Sequence, residues 1–98
     1  MNITQERNEN RLTLSIEGRI DTKTAPELEQ VIRNDLDKVT DLTIDLEQTV
    51  YISSAGLRVL LITQKQMNRQ GSMRIIHANA DLAEIFEVTG FNEILTIE

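Results

Sequence analysis

"DLTIDLEQTVYISSAGLRVLL", Asp41 to Leu61, changes its hydrophobic period part-way along. Its first six residues set Leu42, Ile44 and Leu46 on one side and Thr43 and Asp45 on the other, the two-residue period of a strand with one wet face. From Ser54 the spacing predicts a helix to about Gln70, with Leu57, Leu60, Leu61 and Met67 as one stripe, Val59 and Ile62 off it, and Gly71 as the expected left-handed stop. Between the two lie a short apolar segment, Val50 to Ile52, and the adjacent pair Ser53 and Ser54. Strands of a parallel sheet covered by helices on both faces read as continuous apolar runs. This strand keeps a polar face, so the helices are expected mainly on one side.

The same pattern extends in both directions. "RLTLSIEG", Arg11 to Gly18, alternates Leu12, Leu14 and Ile16 with Thr13, Ser15 and Glu17, and is expected to lie beside Asp41 to Leu46 as a parallel neighbour. Leu14 and Ile44 should face the helices, and Ser15 and Asp45 the open side. "NITQER" should pair with Arg11 to Gly18 as a hairpin through Asn8 to Asn10. In "TKTAPELEQVIRNDLDKV" the positions Leu28, Val31, Ile32, Leu36 and Val39 follow helical spacing, Thr24 with Glu27 forms a capping box, and Pro26 falls in the first turn, where its missing N–H is harmless. "SMRIIHA" reads as a third strand. Asn79 to about Thr89 reads as a short helix closed by Gly90, with Leu82, Ile85 and Phe86 inward, and "ILTIE" as a fourth strand. The order predicts an α/β fold: one domain over residues 1–98, with a mostly parallel sheet of four to five strands.

Composition excludes several classes of function. A chain of 98 residues can bury one core without staples, and a 40% hydrophobic, 27% charged composition is that of a globular protein rather than a membrane span or a disordered tail. Sixteen acidic against ten basic residues give a net charge of −6. Phosphate-backbone binding draws its affinity from clustered Lys and Arg, so no nucleic-acid partner is expected. Only Tyr51, Phe86 and Phe91 are aromatic, too few for a base-stacking platform. The N-terminus "MNITQERNEN" is polar throughout and there is no cysteine, which together point to a cytoplasmic protein with neither membrane contact nor thiolate metal site.

Enzyme chemistry is sparse. Gly18, Gly56, Gly71 and Gly90 stand singly, so there is no Rossmann fingerprint and no P-loop, and no cofactor is expected. His77 is the only histidine, and "SSAG" lacks the Gly-x-Ser-x-Gly elbow; a strand-end structural role fits His77 better than catalysis. Asp41 and Asp45 share a strand face but have no metal-ligand spacing, and read as a solvated face. The concentrated feature is Val50 to Leu61. Its position after a strand puts the serines at the carboxyl edge of the sheet, where α/β domains bind ligands and partners. Ser54 at or next to the N-cap would meet exposed N–H donors and the positive end of the helix dipole, a place that can accept a phosphate without unfolding.

The pattern Ile52-Ser53-Ser54-Ala55-Gly56-Leu57 after "DLTIDL" resembles the phosphorylation-site signature of bacterial anti-sigma factor antagonists, the STAS domain family. "GRIDTKTAPELE" resembles the family's segment into its first helix, and "IFEVTGFNEILTI" its closing helix, turn and strand, so the resemblance spans nearly the whole chain. It implies a non-enzymatic switch. In the family, the unphosphorylated antagonist binds an anti-sigma factor that is itself a serine kinase; phosphorylation ends the binding, and a metal-dependent serine phosphatase restores it. Aligned on Gly56 and Leu57, the family's commonest pattern is Asp-Ser-Ser-Gly with the first serine modified, which corresponds to Ser54. Ser53 stands where relatives often have Asp, and Ala55 where they often have Ser or Thr, leaving Ser53 as the alternative acceptor. Tyr51, Ser53, Ala55, Gly56, Leu57 and Arg58 are the expected partner-binding residues. The alternative to the antagonist is a free-standing STAS scaffold subunit that binds non-sigma partners.

Overall fold

The alternating segments become the central strands of a mixed sheet. The computed structural model describes residues 1–98 as β1 (Asn2–Asn8), β2 (Arg11–Ile20), α1 (Ala25–Asp35), β3 (Asp41–Asp45), β4 (Thr49–Ile52), α2 (Ser54–Gln70), β5 (Ser72–Ile76) and α3 (Ala80–Val88), followed by one 3-10 turn over Phe91–Glu93. The main strand order is β1-β2-β3-β5, with β4 also paired to β2. β1 runs antiparallel to β2 from Asn2↔Glu17 to Asn8↔Arg11, closing the expected hairpin. β2 and β3 are parallel neighbours with Leu14 opposite Ile44 and Ser15 opposite Asp45, and β5 joins β3 in parallel with Ile75 opposite Ile44.

The strand alternation separates two environments. Leu12, Leu14, Ile16, Leu42, Ile44, Leu46, Met73 and Ile75 are buried in a single cluster with Leu28 and Ile32 of α1, Leu57, Leu60 and Met67 of α2, and Leu82 and Phe86 of α3. On the opposite side Thr13, Ser15, Asp41 and Asp45 are half-buried. No helix residue lines the hollows there. Thr43 is the buried member of that face, because the Arg74 side chain lies over it and donates from Nε to its hydroxyl at 3.1 Å. The helices therefore gather on the apolar side, as the alternation requires.

Four expectations are corrected. The segment Val50 to Ile52 is part of a strand, β4, which pairs in parallel with the far end of β2 at Gly18↔Thr49 and Ile20↔Ile52. It continues the line of β3 after an interruption. The partner offset is 45 − 15 = 30 at Ser15↔Asp45 and 52 − 20 = 32 at Ile20↔Ile52, so two extra residues are accommodated between them. Gly18, at φ 103°, donates to the Gln48 carbonyl at 3.0 Å, and the buried Thr49 hydroxyl donates to the Ile16 carbonyl at 2.6 Å. Those bonds satisfy backbone groups that the broken ladder leaves unpaired.

"ILTIE" does not extend as a strand. It reaches β5 through one bridge, Ile75↔Ile97, with the Ile75 and Glu98 N–H groups bonded across at 2.8 and 2.9 Å. Gly71 ends α2, but at φ 171° in extended backbone rather than left-handed. Glycine is required there for space, since a Cβ would run into the Thr40 carbonyl. The Thr24–Glu27 capping box does not form either: Thr24 makes no side-chain cap bond. Its hydroxyl accepts from the Asp21 N–H and donates to the Arg19 carbonyl, both at 2.8 Å, while the Asp21 carboxylate takes the N–H groups of Lys23 and Thr24. The aspartate competes successfully for the chain just ahead of the helix.

Candidate functional site: the serine pair at the mouth of α2

β4 delivers the serines. With Ile52 buried opposite Ile20, the Ser53 N–H continues the pairing to the Ile20 carbonyl at 2.8 Å, and the chain then turns into α2. Ser53 is the N-cap residue, at φ −93° and ψ 176°; its Oγ accepts from the Gly56 N–H at 3.4 Å, and its carbonyl accepts the first intrahelical bond from Leu57 at 2.9 Å. Ser54 is the first residue of the helix and is exposed. Its hydroxyl has no protein partner, so its oxygen is available beside the unpaired N–H groups of the first turn. Of the two positions offered by sequence, the structure puts Ser54 next to the cap.

Gly56 makes this entry possible. A Cβ there would sit 2.7 Å from both Ile20 Cγ2 and Ile52 Cγ1 and 3.1 Å from the Ile20 carbonyl oxygen, so the helix can approach the sheet this closely only without a side chain. Leu57 is likewise buried, which makes Gly56 and Leu57 the floor of the site and not its surface. Tyr51, Ser54 and Arg58 are exposed, while Ser53 and Ala55 are half-buried. Ser54 and Arg58 open onto a groove between α1 and α2 that Pro26, Glu29 and Ile62 also line. Of the two residues off the expected stripe, Val59 packs into the core while Ile62 is exposed; Leu61, placed on the stripe, is only half-buried.

Sequence reasoning missed the residues flanking the serines from β2. The Arg19 guanidinium stacks over the Tyr51 ring at 4.4 Å and lies 3.6 Å from Asp21. The Thr24 N–H is the main cause that holds the Asp21 carboxyl below its ordinary range; burial opposes the shift, and the Lys23 N–H, the Thr24 hydroxyl and Arg19 reinforce it. The Asp-x-x-Thr spacing of Asp21 and Thr24 was a usable signal for that turn. Val50, 62% exposed, adds an apolar contact point beside Tyr51.

The other candidates fall elsewhere. Asp41 lies at the start of β3 near Arg11, and Asp45 at its end against His77, so the two carboxylates are not paired. The His77 ring bonds to Asp45 at 3.0 Å, and no serine hydroxyl reaches it, which leaves no Ser-His nucleophile. No helix is long and apolar enough to cross a membrane.

The sequence pattern of the STAS domain matches residues 2–98. The chain belongs to the STAS domain family. The anti-sigma-B factor antagonist of Bacillus subtilis is 32% identical to this STAS domain over 98 residues, a stretch that covers 99% of this chain and 90% of that protein. Among solved structures, an anti-sigma factor antagonist from Mycobacterium paratuberculosis superposes with a TM-score of 0.88 at 25% identity, covering 98% of this chain and 83% of that one. The Bacillus cell fate determinant SpoIIAA in its phosphorylated form shares the fold, with a TM-score of 0.77 at 13% identity over 99% of this chain and 91% of its own. This STAS domain is thus related over nearly its whole length to proteins named as anti-sigma factor antagonists.

Proposed function

We propose that this STAS domain is a phosphorylation-switched anti-sigma factor antagonist, with Ser54 as the acceptor and the surface of Tyr51, Ser53, Ala55 and Arg58 around it as the docking face. The observation that carries the proposal is the division of the serine pair: Ser53 is engaged as the cap of α2, while Ser54 beside it is exposed with a free hydroxyl. The relatives' names supply the partner class, an anti-sigma factor. In the unphosphorylated state the neutral Ser54 hydroxyl is covered by an anti-sigma factor that is a serine kinase, and the sigma factor is released. Phosphorylation adds about −1.5 to −2 charges at the centre of that face. Burying that dianion under a partner surface built for a neutral hydroxyl costs several kcal/mol, enough to abolish micromolar or tighter binding. A metal-dependent serine phosphatase resets the switch, and the domain acts in the cytoplasm without contacting nucleic acid.

The deciding experiment incubates wild type, Ser53→Ala and Ser54→Ala with the cognate kinase and ATP and reads mass and binding. Modification should persist in Ser53→Ala and vanish in Ser54→Ala, which still binds. The reverse pattern would make Ser53 the acceptor. A native-cytoplasm pull-down that yields no kinase, with no phosphoserine under any growth condition, would favour the scaffold subunit instead.

A further inference from the structure

We propose that Asp45, Glu47 and His77 form a binding site for a first-row divalent transition-metal ion, of which zinc is the probe. The three side chains lie at the carboxyl ends of β3 and β5, and one ligand atom from each falls within 4.8 Å of the others. His77 Nδ1 is 3.0 Å from Asp45 Oδ1 and 4.0 Å from Glu47 Oε2. Donors in neighbouring positions around an ion bound at roughly 2.0–2.1 Å stand about 3.0–3.4 Å apart. The first spacing, a hydrogen bond between the two side chains, meets that condition when the ion replaces the bridging proton, which is released to solvent, and the second does so after a small rotation of the exposed Glu47 side chain.

The backbone holds the donors together. Leu46 donates to the Ile76 carbonyl at 3.0 Å, which fixes the exit of β3 against the last residue of β5. The Glu47 N–H aims the Asp45 carboxylate by bonding Oδ1 at 3.0 Å. The site adjoins a hollow of about 250 Å³ on the open sheet face, which Asp45 and Glu47 share and His77 does not line. Glu17, Asp45 and Glu47 line it together with the neutral Asn2, Ser15 and Gln48, and no lysine or arginine faces it. Three carboxylates around a cleft without a cation in its lining concentrate negative potential beside Asp45 and Glu47. One imidazole with two carboxylates is a donor set for zinc, cobalt or nickel rather than for calcium or magnesium, which take all-oxygen sites. A bound ion would join the β3–β4 turn to the β5–α3 turn, one that feeds the serine pair and one that starts α3.

The test is a titration of the purified protein with zinc chloride in a non-coordinating buffer, followed by calorimetry and by melting temperature. One ion per chain is expected with Kd in the range of about 1–100 μM, and the melting temperature should rise by at least about 5 °C with zinc at about a hundred times Kd. His77→Ala and Asp45→Asn should each weaken binding at least tenfold and cut the rise to about half or less at the same zinc concentration, while Ser54→Ala binds as wild type and magnesium has no effect. His77→Gln serves if His77→Ala fails to fold by circular dichroism. Absence of saturable zinc binding, or equal binding by folded His77 variants, would overturn the proposal and leave the cluster as an ion pair.

Discussion

Ser53 Oγ accepts the Gly56 N–H at 3.4 Å, which makes the first serine of the pair structural. Loss of an N-cap hydroxyl costs about 0.5–2 kcal/mol. This bond is long, so Ser53→Ala should fall at the lower end of that range. Ser54→Ala, which removes an exposed and unbonded hydroxyl, should stay within about 0.5 kcal/mol of wild type. Urea titration of both variants checks the asymmetry, and a larger loss for Ser54→Ala would contradict the assignment of the cap.

Gly56 tests the close approach of α2 to the sheet. The added methyl of Gly56→Ala would meet Ile20 and Ile52 at 2.7 Å, where neither side chain can retreat from a packed core. Alanine's better helix propensity offsets about 1 kcal/mol at most. Overpacking costs about 1–3 kcal/mol, so Gly56→Ala should be net destabilising in denaturant titration. A neutral or stabilising result would mean that α2 can slide outward.

Strand alternation carried most of this fold in plain view. Leu14 and Ile44 are fully buried and opposite one another, and Ser15 and Asp45 line the open side, as a period of two with one polar face demands. The helix start at the serine pair was also legible, because a serine ahead of an apolar helical pattern is a usual N-cap signal. β4 was not legible: four residues with Val50 and Tyr51 exposed show no alternation, and their pairing with β2 depends on an insertion that only the register reveals. The role of Asp21 was hidden for a related reason. Thr24 and Glu27 fit a capping box locally, but the chain leaving β2 puts Asp21 within reach of the same backbone first.

Ile44 and Asp45 are sequence neighbours with opposite surroundings. Ile44→Ala should cost about 2–5 kcal/mol, since its side chain is fully enclosed under the helices and leaves a cavity. Alternation alone would give Asp45→Ala a few tenths of a kcal/mol. Its bonds to the Glu47 N–H and the His77 ring raise the expected loss to about 1 kcal/mol. Equal losses in denaturant would contradict the facing of β3.

Asp21 gives a pH dependence with a defined sign. Its folded carboxyl lies below the ordinary value, chiefly through the Thr24 N–H. A depressed carboxyl contributes stability above its unfolded value of about 3.9, and the contribution is lost as pH falls through the lower folded value. Asp21→Asn should therefore reduce the difference in stability between neutral pH and about pH 3, with its largest effect at neutral pH. An unchanged acid limb of the pH–stability curve would show that the turn does not depend on the charge.

Phosphorylation of Ser54 should separate binding from folding. The modified oxygen stands on the first residue of α2, where a negative charge meets the helix dipole and unpaired N–H groups, an interaction worth about 0.3–1 kcal/mol at an exposed site. Arg58 follows one turn later, exposed and on the same groove, and can approach the phosphate from the i+4 position. The capping bond from Ser53 is untouched by the modification. The phosphorylated protein should therefore melt at the same temperature as the unmodified one or a few degrees higher, while its affinity for the anti-sigma factor falls by at least a hundredfold. Ser54→Asp, with one charge and a shorter reach, should lose only part of that affinity. Differential scanning calorimetry beside a binding titration on all three forms reads both quantities. A melting temperature lowered by several degrees on phosphorylation would mean that the switch works by loosening α2 and not by placing charge on a docking face.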